Sequence, residues 1–385
     1  MPACPFHPTS AILLRIFLFL SVLMLVGGWP SGWENPASGE GFLSSHATGS
    51  SRHRSAPARP DRVLKLGHGL DVSHPVHKAM VFMGERIAEE SQGRMRLDIY
   101  PSQQLGTERE TLELLQIGSL DMTKVSSSVV EGFEPIYKVF SVPFLFQDDA
   151  HRYRVLDSEV GQEILEAGRK IRLKGMAYYD AGTRSFYTKE KPILHPDDLA
   201  GLKIRVQESP AAIQLVNTLG GSATPIAWGE LYTSLQQGVV DGAENNPPSF
   251  YTSRHYEVAR HYSLNEHTAV PDLLFMSLYT WERMTPEEQG IVQRAAAASV
   301  TYQRELWQES TRESLEKVME AGVNVVRPDK APFIERLEPL YQVYFDEDPR
   351  MEPLIRQIQA MHSPNRTQAA DSRVNRLQQT GGGVR

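Results

Sequence analysis

Gly201–Val206 reads GLKIRV, and it decides the reading of the chain. Leu202, Ile204 and Val206 alternate with Lys203 and Arg205, a period of two that predicts a strand. Asp197, Asp198 and Gly201 ahead of it supply turn chemistry. One arginine is therefore held on a stiff element, opposite the apolar face. A guanidinium so placed suits a carboxylate gripped through two parallel hydrogen bonds. The plainer reading is a solvated strand face, and the rest of the chain decides between them.

Working outward, 385 residues predict about two domains. The chain is 41% hydrophobic and 23% charged, ordinary for globular cores, with net charge −7 and pI about 6.0. No basic block is present, so nucleic acid is not an expected partner. An acidic protein that binds an anion must place positive charge locally. The run 16–26 (IFLFLSVLMLV) follows Arg15 and ends at Gly27, Gly28 and Pro30. It has the shape of a signal peptide core and is shorter than a spanning helix, though no clean A-x-A site follows and an uncleaved anchor remains open. Residues 1–28 are read as that signal or anchor and 29–60, rich in Ser, Gly, Pro and Ala, as a disordered leader. The only cysteine, Cys4, precedes the apolar run. No disulfide or cysteine metal site is expected beyond it.

The folded part is expected from Asp61. Strands are predicted at Val63–Leu66, Met95–Tyr100, Asp121–Ser128, Gly175–Asp180, Gly182–Lys189 and Leu273–Tyr279, with a short extended segment at Ala223–Ile226, while Val239–Glu244 is read as entering a loop. Helices are predicted near 76–92, at Glu108–Ile117, within Asp148–Gly168, at Ser209–Gly220 and at Trp228–Gln237. Alternating strands and helices make an α/β chain. Thr285, Pro286 and Glu288 form a capping signature, and no breaker follows until Gly322. That helix would be about 55 Å long, enough to lie along two lobes. Residues 363–385 read as a disordered tail.

Five segments stand in order: Gln104–Met122 (QLGTERETLELLQIGSLDM), Gly182–Tyr187 (GTRSFY), Asp198–Val206 (DLAGLKIRV), Leu219–Tyr251 (LGGSATPIAWGELYTSLQQGVVDGAENNPPSFY) and Ser263–Thr268 (SLNEHT). Together they resemble the solute-binding proteins of TRAP transporters, DctP type, over about residues 61–350. The resemblance implies an α/β, two-lobed periplasmic-binding-protein clamshell with a long helix spanning both lobes. Lobe I would hold 61–182 plus 271–310, and lobe II 183–270 plus 311–362. It further implies a periplasmic receptor that hands a small carboxylate-bearing ligand to TRAP membrane permease subunits, without cofactor and without catalysis.

The same resemblance assigns candidate residues. Arg205 matches the carboxylate-binding arginine, and Arg184 a second arginine meeting the same anion, with an interlobe salt bridge as its alternative. Asn245 suits a hydroxyl or carboxylate, or else forms a turn before Pro247. Glu108 would face the ligand's polar end, or act as an N-terminal helix carboxylate. Glu208 is a polar contact or a surface residue. Trp228 lines the cleft or packs in a core. Ser126 and Ser127 offer hydroxyls, and His74 faces the cleft from the first loop. His74 and His77 alone make a weak metal pair. GHGLDV (Gly67–Val72) lacks the third glycine of a dinucleotide loop, and no phosphate-loop, G-x-S-x-G or H-E-x-x-H motif occurs. The segments look most like sugar-acid and hexuronate binders. A C4-dicarboxylate or 2-oxo acid receptor, or a module feeding a sensor kinase, is the alternative.

Overall fold

The computed structural model describes residues 60–362. The expected signal, leader and tail lie outside them, apart from Pro60. Two mixed sheets organise the chain. The first has the order β2-β1-β3-β10-β4, from Met95–Tyr100 (β2), Arg62–Gly67 (β1), Met122–Ser126 (β3), Asp272–Ser277 (β10) and Leu173–Tyr179 (β4). The second has the order β11-β9-β5-β8-β6-β7, from Asn324–Val326 (β11), His261–Thr268 (β9), Arg184–Thr188 (β5), Gly242–Asn245 (β8), Lys203–Val206 (β6) and Ser222–Pro225 (β7). β10 runs antiparallel to β3 and β4, and β5 antiparallel to β8 and β9, while the other pairs are parallel.

The molecule is a two-lobed α/β clamshell, as expected. The chain crosses between the sheets three times, from β4 to β5, from β9 to β10, and from β10 to β11 by way of the long helix. At the first crossing Gly182 has φ +58°, and a Cβ there would lie 3.0 Å from Trp307 Nε1. Only glycine suits both demands. The long helix runs Pro286–Glu320, opened by the expected Thr285/Glu288 capping box. It packs on helix Pro75–Glu90 of the first lobe and on helix Pro247–Thr252 of the second. Several connections make the joint a hinge rather than a linker.

Some local expectations fail for identifiable reasons. The helix expected within 148–168 breaks at Ser158, which ends Asp149–Asp157 and caps Glu159–Glu166. Its hydroxyl oxygen accepts from Gly161 N, an alternative to continuing the helical ladder. The strand expected to reach Ser128 stops at Ser126, because Ser127–Val130 turns helical. Trp228–Glu230 is a separate 3-10 turn before helix Leu231–Gln236. The helices after 330 were not anticipated. The last of them, Met351–Ala360, packs on Pro135–Ser141, and His151 Nε2 lies 2.9 Å from Ile358 O. Both contacts are to residues within 61–182. One apolar cluster joins Leu340, Tyr344, Ile355 and Ile358 to Phe140 and Tyr178 on one side and Ile204 and Leu215 on the other.

Candidate functional site

The interlobe cleft opens where the parallel strands end. Gly69 and Leu70 follow β1, Gln103 follows β2, Ser126 ends β3, Gln207 and Glu208 follow β6, Trp228 follows β7, and Asn245 ends β8. Asp272 and Arg184 start the antiparallel strands β10 and β5 at the same edge. Loops beyond strand ends are free to diverge, so side chains there can face a ligand. The cleft holds about 660 Å³ of empty space, part of it open to solvent.

Arg205 sits in β6 between Ile204 and Val206, and all three are buried. The strand expected of GLKIRV is present; on its polar face Lys203 is exposed, while Arg205 is covered by the cleft rather than by bulk water. Arg205 is 2% exposed. Nε donates to Ile226 O at 2.8 Å, and buried Nη1 has no partner among the described residues. No carboxylate there reaches ion-pair distance. Burial holds its pKa below the ordinary arginine value, with Tyr187 and Glu244 opposing and Arg184 adding to the fall. The Trp228 ring centroid lies 5.9 Å from Cζ.

Arg184 lines the same cleft but is already neutralised. Its guanidinium pairs with Glu244 through Nε and Nη2 (2.8 Å to Oε1), and Nη2 also donates to Glu244 O at 2.8 Å. Nη1 donates to Asn245 Oδ1 at 3.1 Å. A bulge between Arg184 and Phe186 accommodates this turn of the side chain. The interlobe salt bridge, the alternative reading of Arg184, is not formed by this pair, which lies within one sheet. Burial favours a neutral Glu244, yet Arg184 and His267 outweigh it and lower the carboxyl to about 2. Asn245 Oδ1 also accepts from Asn246 N at 2.9 Å. Both acceptor directions are thus spent, and the amide NH₂ is left for the cleft.

The first-lobe wall carries Glu108, whose Oε1 accepts from Lys124 Nζ at 3.1 Å and whose Oε2 accepts from Ser126 N at 3.3 Å. It opens helix Glu108–Gln116, capped by Thr107. Ser126 Oγ donates across the cleft to Gln207 Oε1 at 3.3 Å. His74 caps helix Pro75–Glu90 through Nδ1, and its Nε2 lies 3.3 Å from Ser249 Oγ of the other lobe. Burial first, then Lys124, keeps that ring well below the usual histidine range. Gly229 N donates to Gln103 Oε1 at 3.1 Å, and a Cβ on Gly69 would meet the Trp228 ring at 3.4 Å. These contacts draw the walls together. Glu208 is exposed at the cleft's rim.

Eight of the nine expected residues meet in this cleft. Ser127 does not line it. The chain turns helical two residues earlier than expected, which swings Ser127 inward, and its buried Oγ has no partner among the described residues. His77 faces His68 instead of a metal, with Nδ1 3.0 Å from His68 Nε2. Among the described residues no group of three or more His, Cys, Asp or Glu could hold a metal ion. No described helix is long and apolar enough to cross a membrane. Lys124, Asp272, Gln103 and Ser249 also line the cleft and escaped the sequence reading. A single lysine within the otherwise uncharged stretch Met122–Val130 was the one available signal for Lys124.

Residues 66–348 match the family model described as bacterial extracellular solute-binding protein, family 7 (DctP). Three crystal structures of TRAP periplasmic solute-binding proteins are similar. That from Xanthobacter autotrophicus Py2, with bound β-D-galacturonate, is 40% identical, with TM-score 0.75 over 77% of this chain and 99% of its own. One from a Bradyrhizobium species, in complex with α/β-D-galacturonate, is 39% identical, with TM-score 0.75 over 78% and 100%. One from Chromohalobacter salexigens, with bound D-glucuronate, is 34% identical, with TM-score 0.76 over 78% and 100%.

Proposed function

This chain belongs to the bacterial extracellular solute-binding proteins of family 7, and from that premise we propose that it is the receptor of a TRAP transporter for a hexuronate. The observation that carries this reading is Arg205, a buried guanidinium on the cleft wall with no ion-pair partner among the described residues. The ligand's carboxylate docks there and on the Asn245 amide. Its hydroxyls meet Glu108, Ser126, His74, Gln103 and the Glu208 rim. Trp228 packs on the C–H face of the sugar ring. Arg184 takes part by orienting Asn245, and Ser127 only by closing the core beneath Ser126.

Docking replaces water around Arg205 with charge-assisted hydrogen bonds, which strengthen as lobe closure lowers the local dielectric. The receptor acts outside the cytoplasmic membrane, exported by the apolar 16–26 segment, and delivers its ligand to sodium-coupled permease subunits. Binding without turnover is its task.

Thermal denaturation with D-galacturonate, D-glucuronate, succinate and pyruvate tests the ligand class. A ligand at about 1,000 times its Kd stabilises the folded form by about 4 kcal/mol. The uronates should raise the melting temperature by several degrees, and succinate and pyruvate should not. A larger rise with succinate or pyruvate would replace the hexuronate with a smaller acid.

A further inference from the structure

The first-lobe wall holds a charge group that docking of a carboxylate on Arg205 does not require. Lys124, in β3, is 2% exposed, with Nζ 3.1 Å from Glu108 Oε1 and 3.2 Å from Asp272 Oδ1. All three side chains line the cleft, opposite the Arg205 wall. A lysine buried there costs desolvation, which the two carboxylates offset: burial pulls its pKa down, and Asp272 and Glu108 leave it raised. Burial raises the Asp272 pKa above the ordinary carboxylate value, with Lys124 opposing; with both carboxylates ionised, one ammonium against two carboxylates leaves this wall with a net charge of −1.

The hydrogen-bond inventory points the same way. An ammonium has three protons, and Lys124 uses two on Glu108 and Asp272, leaving one for the cleft. Each carboxylate has about four lone-pair positions. Glu108 uses one for Lys124 and one for Ser126 N, and Asp272 accepts from Lys124 alone among the described residues. The wall therefore offers several acceptors and one donor under net negative charge. Hydroxyls, which both donate and accept, fit such a surface. A second carboxylate has nothing to donate and is repelled.

We infer that Lys124, Glu108 and Asp272 form a charge filter that accepts hydroxyls at the ligand's distal end and rejects the diacid of the same carbon skeleton. This deepens the sugar-acid reading and rests on it for the ligand's orientation, but it concerns only the end remote from Arg205.

The matched probes are D-galactonate and galactarate, open-chain acids that differ by a terminal hydroxymethyl against a second carboxylate. D-Galacturonate serves as the reference. Calorimetry on the wild-type protein should show galactarate at least about 100-fold weaker than galactonate, the scale of one like-charge contact in a cleft of effective dielectric near 20. Asp272→Asn keeps an acceptor for Lys124 and makes the wall neutral, so the ratio should shrink by about 10-fold or more. Glu108→Gln with Asp272→Asn makes the wall positive, and galactarate should become the tighter ligand. An unchanged ratio in Asp272→Asn, with its melting transition intact, overturns the filter, as does a wild-type protein that takes both acids equally. If the variants do not fold, the wild-type ratio decides alone. Failure of D-galacturonate to bind while a galactonate-over-galactarate preference persists would sink the hexuronate reading and leave the filter standing.

Discussion

Arg184 and Arg205 lie on strands that flank β8 in the same sheet, both almost fully buried and both facing the cleft. Burial pushes both below the ordinary arginine pKa. At Arg184, Glu244 more than reverses the effect; at Arg205 nothing does. One guanidinium has its hydrogen-bonding directions filled by Glu244 and Asn245, while the other leaves Nη1 without a partner among the described residues. The difference teaches that burial does not mark a ligand anchor. A missing counter-charge does, because a buried unpaired cation lowers stability unless something else supplies the anion. Arg184 then holds the site's shape, and Arg205 its affinity.

The largest break should come from Arg184→Ala. It leaves Glu244 charged and buried at 3% exposure without its partner. Losing one member of such a pair costs about 3–5 kcal/mol. Chemical denaturation should show that loss in the ligand-free protein. Arg184→Ala with Glu244→Gln should recover much of it, since no orphaned carboxylate remains. A ligand-free protein as stable as wild type would mean that the pair contributes nothing.

Arg205→Ala should do the reverse. The ligand-free protein should be as stable as wild type or more so, because an uncompensated charge has gone. Ligand affinity should fall by at least about two decades, close to 3 kcal/mol. Arg205→Lys should recover little, since an ammonium lacks the planar fork and cannot reach both Ile226 O and a carboxylate in the same geometry. Calorimetry on the two variants separates the arginines: a stability loss at 205, or unchanged affinity there, would erase the contrast.

The asymmetry was only half legible in the chain. GLKIRV placed Arg205 on a strand because apolar alternation is a local signal, and the long helix was legible from its caps for the same reason. The family resemblance brought Arg184 and Asn245 into view through GTRSFY and the Leu219–Tyr251 segment, but not Glu244 as the partner of Arg184. Which arginine is paired depends on the antiparallel register of β5 on β8, with Ser185 opposite Asn245. That register joins residues about sixty positions apart and leaves no local pattern. Lys124 and Asp272 were missed likewise, because β3 and β10 meet only through the crossover. The C-terminal helices after 330 lack side-chain caps and were not legible in the sequence.

The smallest effect concerns the histidine beside each arginine, and it sharpens the contrast by titration. His255 Nδ1 lies 2.9 Å from Tyr187 Oη, and its ring packs 5.1 Å from Trp228. Burial first, and then the charge of Arg205, lowers its pKa to about 3. His267 stacks on Phe186 beside Glu244; burial lowers its pKa too, but there Glu244 opposes the shift and Arg184 adds to it. Because the folded state keeps both rings neutral, the unfolded chain binds protons first as pH falls below about 6.5. Stability is therefore full above that pH and declines below it, by about 1.4 kcal/mol per pH unit for His255. For His255 the decline should continue until pH approaches 3. Removing the charge in Arg205→Ala lifts one of the two causes at His255 and none at His267. NMR titration should then find the His255 pKa raised but still below 6.5, since burial persists, and the His267 titration unmoved. Equal shifts at both rings would mean that the charge of Arg205 is not confined to its own side of the cleft.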